Sequence, residues 1–338
     1  LRIDVAFSTE QLDPAAVERF SAGFVAELAA LLAAVDDAAP ARANAHGEVH
    51  RAADAILRLR DVASAKRPLF LVHPAGGSAF GYRELVRHLD ADQPVYGLEC
   101  TDGYAGKTLT SMAAGYVEAM RAVQPAGPYV LGGWSLGGIL AAEMARQLER
   151  AGEAVTQVIQ LDSRPAQHAG QRRYLTHMQE DSAALLSLLA RHLGLMVGAT
   201  LGLGYAALRE IPAATREGWF VDRLAERGAF SEALNAGFVR RFVADFLAAG
   251  HLITGLGDNL PIRAPMLLLR ASTSSVHYAG FPALEEPVEV GADTTYGWGS
   301  LTEGGCAVEL VGGTHEDLLF GAHVRGLAER VSHALRSQ

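Results

Sequence analysis

The chain has 338 residues, 49% of them hydrophobic and 20% charged. That balance excludes wholesale disorder, and the length allows a large buried core with a prior of about two domains. The formal charge of −9 comes without any block of Lys or Arg, so neither a nucleic-acid partner nor an anionic membrane is expected.

The opening residues, Leu1-Arg2-Ile3-Asp4, hold no Met and no signal-peptide core, and read as a cut from a larger protein. Residues 1–7 alternate apolar and polar, which predicts a short half-buried strand. Asp13 and Pro14 suit the start of a helix. Val17, Phe20, Phe24, Leu28, Leu31, Leu32 and Val35 follow at helical spacing. A linker begins at Asp36. Residues 1–63 are therefore expected to be an appendage and linker.

From residue 67 the pattern changes. Continuous apolar runs lie at 68–72, 94–98, 128–134, 155–161, 265–269 and 307–311, as expected of strands buried on both faces. Helical patterns at 109–123, 136–151 and 316–335 alternate with them. This alternation predicts an α/β architecture with a doubly wound, mostly parallel sheet. Between 164 and 262 no strand pattern stands out and helical stretches dominate, at 183–193, 213–227 and 231–249. They read as a helical insertion into an α/β domain spanning 64–338.

Within the insertion, residues 193–208 are uncharged but interrupted by four glycines, and are too short to span a membrane comfortably. They are expected to line a channel. Gly202-Leu203-Gly204-Tyr205-Ala206-Ala207 fits a dinucleotide fingerprint, yet no strand leads into it, so dinucleotide binding is not expected. Cys100 and Cys306 show neither metal-ligand spacing nor a disulfide framework. A reducing, cytoplasmic setting follows as the expectation.

Gly133-Trp134-Ser135-Leu136-Gly137 fits G-x-S-x-G. It follows a predicted strand and opens a predicted helix, the context that a nucleophile elbow requires. So sharp a turn crowds its neighbours, hence the flanking glycines. The helix N-terminus behind Ser135 favours developing negative charge. A serine hydroxyl needs a base, and the base needs an orienting carboxylate. The order Ser, acid, His is met by Asp162, at the end of the 155–161 run, and His315, just after the last run. A later acid position near 270–273 holds no carboxylate, which favours Asp162. The candidate catalytic set is Ser135, Asp162 and His315. Oxyanion donors are expected from the backbone N–H groups of Ala75, in the Gly-rich loop 73–78, and Leu136. His73 is expected to shape that loop, and Trp134 to pack.

The stretch 127–138, Gly-Pro-Tyr-Val-Leu-Gly-Gly-Trp-Ser-Leu-Gly-Gly, continuing through Ala142-Glu143-Met144-Ala145 and Gln147-Leu148, resembles the type I thioesterase domain of nonribosomal peptide synthetases. Tyr96-Gly97-Leu98, Tyr116, Val123-Gln124-Pro125, the 73–78 loop, Leu161-Asp162 and Gly313-x-His315 fit the same family. The resemblance covers about 68–335, apart from the insertion, which corresponds to the family's lid and is long for it. Polyketide-type and editing relatives usually carry His where this chain has Trp134.

The resemblance implies an α/β-hydrolase fold and a terminal release enzyme. The partner would be an upstream peptidyl carrier protein, with the substrate delivered on its phosphopantetheine arm and no cofactor bound by the domain itself. A peptidyl-O-serine intermediate on Ser135 would end in hydrolysis or macrocyclisation, both of which stay open. Residues 1–35 resemble more weakly the end of a condensation- or epimerisation-type domain. Other readings are a free-standing serine esterase, an editing (type II) thioesterase, and a hydrolase-like binding module without activity.

Overall fold

The computed structural model describes residues 55–168, 176–197, 200–226, 236–254, 261–273 and 293–336. The strand, helix and linker expected within residues 1–54 lie outside them, as do parts of the insertion.

A sheet of seven strands organises the rest. They are β1 (Ile56–Arg60), β2 (Leu69–Val72), β3 (Val95–Leu98), β4 (Tyr129–Trp134), β5 (Val155–Leu161), β6 (Met266–Ala271) and β7 (Cys306–Val311). Their spatial order is β1-β3-β2-β4-β5-β6-β7. All neighbours run parallel except β1, which is antiparallel to β3. The central strands β2, β3 and β4 are buried along their whole length, so their sequences are apolar runs rather than alternations.

Strand β1 corrects the boundary drawn at residue 63: Ile56–Arg60 belongs to the core sheet, not to an appendage. Its Arg58 and Arg60 disguise it. Edge strands tolerate such charges because one side is unpaired. The Arg60 guanidinium donates to the carbonyls of Val86, Leu89 and Asp90.

Helices α1 (Arg83–His88), α2 (Leu109–Val123) and α3 (Leu136–Arg150) connect the first strands, and α8 (His323–Arg336) closes the described chain. α2 begins at a capping box in which Thr108 and Ser111 satisfy each other's backbone N–H, two of the donors that a helix start leaves over. One apolar layer joins α2 and α3 to the sheet through Phe70, Leu131, Met120, Leu140 and Met144. The opposite layer joins α1 and α8 through Leu71, Val130, Leu85, Leu327 and Val331. α8 starts seven residues later than its sequence pattern, because Asp317 accepts the Thr314 N–H and residues 314–321 turn instead.

Between β5 and β6 lie α4 (Ser182–Val197), α5 (Tyr205–Arg209), α6 (Ala213–Glu226) and α7 (Ala236–Thr254). They build an apolar cluster of their own around Leu185, Leu189, Phe220 and Leu224. Leu193, Leu201, Leu203 and Leu208 are buried in that cluster. The channel expectation for 193–208 is corrected accordingly: Leu193, Leu201, Leu203 and Leu208 fill the insertion's own core, while Ala249, Leu252 and Ile253 of α7 join the apolar layer of α2 and α3. No helix among the described residues is long and apolar enough to cross a membrane.

Candidate active site

Ser135, Asp162 and His315 come from three places along the C-terminal edge of the sheet. Ser135 follows β4 directly, Asp162 follows β5 directly, and His315 lies four residues beyond β7. Ligands of open α/β sheets bind at this edge.

The elbow at Ser135 is strained. Its φ of 58° and ψ of −120° lie outside the regions open to L-residues and cost about 1–3 kcal/mol. Among the described residues three non-glycine residues have positive φ: Ser135, Asp162 at 44°, and Tyr296. Two of them are members of the candidate set. Neighbouring glycines permit the turn. A Cβ on Gly133 would run into the Gly137 backbone, and one on Gly137 would run into the Val72 carbonyl oxygen. Backbone bonds then clamp the elbow. The Ser135 N–H donates to the Leu161 carbonyl at 3.3 Å, and the Ser135 carbonyl accepts from Ser163 Oγ at 2.7 Å.

Asp162 is 1% exposed. Its N–H donates to the Leu269 carbonyl at 2.8 Å, which fixes it against β6. Its Oδ1 accepts the Ala271 N–H at 2.9 Å. Oδ2 accepts from His315 Nδ1 at 2.8 Å. Burial alone would push this carboxyl up. The His315 hydrogen bond and charge, the nearby Arg164 and the Ala271 N–H outweigh burial and hold it below the usual carboxylate range. An ionised Asp162 accepts at both oxygens, so His315 Nδ1 carries a proton and Nε2 of the neutral ring has a free lone pair.

Trp134 links the elbow to the histidine. Its indole N–H donates to the His315 carbonyl at 3.0 Å, and the two rings lie 5.4 Å apart. Its backbone N–H donates to the Tyr82 hydroxyl at 2.7 Å, and that hydroxyl donates to the Val72 carbonyl at 2.6 Å. Tyr82 therefore ties the elbow to the end of β2. It sits in a three-residue helical turn, and no sequence pattern marked it.

The loop 73–78 is built around His73, which is fully buried. Its Nδ1 donates to the Pro74 carbonyl at 2.7 Å, which leaves Nε2 to accept from the Tyr116 hydroxyl at 2.5 Å. Burial pushes the imidazole down to about 4, so it is neutral and committed at both nitrogens. The Tyr104 hydroxyl donates to the Ala75 carbonyl at 2.9 Å. These bonds hold the loop beside the end of β2. Leu136 is the first residue of α3, so its N–H has no partner within the helix.

The thioesterase domain model matches residues 67–335. A dimodular nonribosomal peptide synthase of Bacillus subtilis is 40% identical over 148 residues, 43% of this chain and 6% of that protein. Malpinin synthetase of Mortierella alpina is 40% identical over 114 residues, 32% of this chain and 2% of that one. The chain thus spans a small fraction of these relatives. Among solved structures, a four-domain nonribosomal peptide synthetase superposes with a TM-score of 0.65 at 26% identity, covering 83% of this chain and 20% of that one. The NocB thioesterase domain, in covalent complex with a fluorophosphonate nocardicin G analogue, gives 0.52 at 26% identity, covering 80% and 96%. With its mostly parallel sheet, flanking helices and strand–turn–helix elbow, the chain has the α/β-hydrolase fold and belongs to the thioesterase domain family.

Proposed function

We propose that this domain releases a peptidyl chain from the phosphopantetheine thioester of an upstream carrier protein, with Ser135 as nucleophile, His315 as base and Asp162 as the carboxylate that orients it. The observation that carries the reading is the hydrogen bond from His315 to the buried Asp162, set at the same sheet edge as the strained Ser135 elbow. Because Nδ1–H is engaged, Nε2 can take the Ser135 proton. Ser135 Oγ attacks the thioester carbonyl, and the N–H groups of Ala75 and Leu136 receive the developing oxyanion. Collapse breaks the C–S bond. The leaving sulfur takes the proton from His315 Nε2, and the peptidyl group stays on Ser135 as an ester.

A second nucleophile then gives its proton to His315 and attacks the ester carbonyl; the C–O bond to Ser135 breaks, and Ser135 Oγ takes that proton back from His315. Water yields an acid, and a hydroxyl or amine within the peptide yields a macrolactone or macrolactam. The catalytic set serves all of these, so the outcome depends on how the lid shapes the chain and excludes water. The synthetase context of the relatives supports the carrier-borne substrate over a simple ester. The weaker resemblance of residues 1–35 to a condensation- or epimerisation-type domain supports a synthetase in which such a domain directly precedes this one.

The test is a synthetic peptidyl thioester presented on a carrier protein, with products read by mass spectrometry. Peptide release, with a trapped acyl group on Ser135, supports the proposal. Turnover of simple esters in preference to carrier thioesters would favour a free-standing esterase. Preference for short aberrant acyl groups would favour an editing thioesterase. A folded protein that neither turns over nor labels with a fluorophosphonate would be a binding module.

A further inference from the structure

Two consecutive residues of α4, Arg191 and His192, reach the loop that carries His315. The His192 ring stacks on Trp134, with centroids 6.0 Å apart and planes at 21°. It also meets Phe320 edge-on at 6.2 Å and 81°. Trp134 thus lies against His192 as well as His315, and its indole holds the His315 carbonyl. Arg191 stands 3.9 Å from Asp317 Oδ2, while Asp317 Oδ1 accepts the Thr314 N–H. The loop between these grips is internally bonded, Leu318 N–H to the Thr314 carbonyl and Phe320 N–H to the Asp317 carbonyl. A displacement at Asp317 or Phe320 is therefore felt at His315.

α4 is anchored in the insertion's own apolar cluster, through Leu185, Leu186 and Leu189. It packs with the insertion rather than with the sheet's apolar layers. We propose that His192 and Arg191 are positioning residues that make the alignment of His315 depend on α4 being docked. A lid that swings open to admit a carrier-borne chain withdraws the stack from Trp134 and the cation from Asp317, and the base is aligned again only on closure. The inference rests on the reading of His315 as the base.

The test uses the whole chain and the variants His192→Ala, His192→Phe, Arg191→Ala, Arg191→Lys and His315→Ala. Two readouts are needed. One is kcat and KM with a short acyl-N-acetylcysteamine thioester. The other is the rate at which a small fluorophosphonate labels Ser135, which needs the base but not an acyl channel. His192→Ala is expected to lower kcat and the labelling rate about tenfold, as a small misplacement of a catalytic group does, with KM changed by no more than about twofold. His192→Phe, which keeps the stack, restores both. Arg191→Ala acts in the same direction and Arg191→Lys restores it. The double alanine variant loses less than the product of the single losses, because both act on one loop.

Wild-type kcat and labelling in His192→Ala would overturn the inference. So would a loss confined to KM, or one that Phe fails to restore. Full turnover by His315→Ala would overturn the base assignment and this inference together. A dead His315→Ala beside an unaffected His192→Ala would remove the inference alone.

Discussion

Replacing Asp162 by Asn keeps the side chain's shape and removes its charge where His315 is oriented. Oδ1 is held by the Ala271 N–H at 2.9 Å, so the new amide NH2 faces His315 Nδ1 at the 2.8 Å position of Oδ2. Two donors cannot share that contact. The imidazole must take the other tautomer, with Nδ1 accepting and the proton on Nε2. In that state Nε2 cannot accept the Ser135 proton. The same tautomer trap in a serine protease costs about 10⁴ in kcat, or about 5 kcal/mol of transition-state stabilisation. The assay is thiol release from an acyl-N-acetylcysteamine thioester, followed with a thiol-reactive chromophore, on protein whose circular dichroism matches wild type. Asp162→Asn activity within about tenfold of wild type would refute the assignment. A second signature concerns stability. The folded carboxyl is held below its ordinary value, so its contribution is full above about pH 3.9 and is lost as pH falls through the folded value. Asp162→Asn lacks that component of acid denaturation, which urea titrations below pH 5 would show.

Other outcomes follow from the surrounding shell. The buried His73 has its pKa pushed down to about 4, while the unfolded chain protonates near 6.5. The unfolded state alone binds the proton across that window, so stability falls as pH drops from about 6.5 to about 4, by up to about 3 kcal/mol. His73→Gln should flatten this limb in urea titrations, and an unchanged slope would contradict the burial argument. Tyr116→Phe removes the hydroxyl that satisfies His73 Nε2 and should cost about 1–3 kcal/mol, with lower kcat if the 73–78 loop presents the Ala75 N–H. Denaturant midpoints and kcat check both halves. Gly137→Ala drives a Cβ against the Val72 carbonyl oxygen and should destabilise by about 3 kcal/mol, read as a fall in the urea midpoint. A tolerated Gly137→Ala would show that the elbow relaxes more than its packing suggests.

Much of the site is legible in the sequence. The apolar runs became β2 to β7; β2, β3 and β4 are buried throughout and need apolar side chains on both faces, whereas the edge strand β7 leaves Ala307 and Leu310 exposed. Gly133 and Gly137 marked the elbow, because only they fit beside a turn of that kind. Asp162 was legible from its place at a strand end. The supporting shell was not. Tyr82, His192 and Ser163 touch the elbow or its neighbours through contacts far apart in sequence, and a lone Tyr, His or Ser carries no local signal. Strand β1 was missed because its arginines read as surface, although Arg60 serves the carbonyls at the end of α1. For the leucines of 193–208, hydrophobicity alone does not say which core they fill.

The sequence by itself therefore determined the chain order of β2 to β7 with their main helices, and the identity of the candidate nucleophile, acid and base. Those depend on local periodicity, on glycine sterics and on chain order. Only the tertiary structure decided how β1 closes the sheet edge, which oxygen of Asp162 meets His315, how His73 spends both nitrogens, and that α4 reaches Trp134 and Asp317. Each of these depends on residues brought together across tens to hundreds of positions, where distance and burial rather than spacing along the chain decide the chemistry.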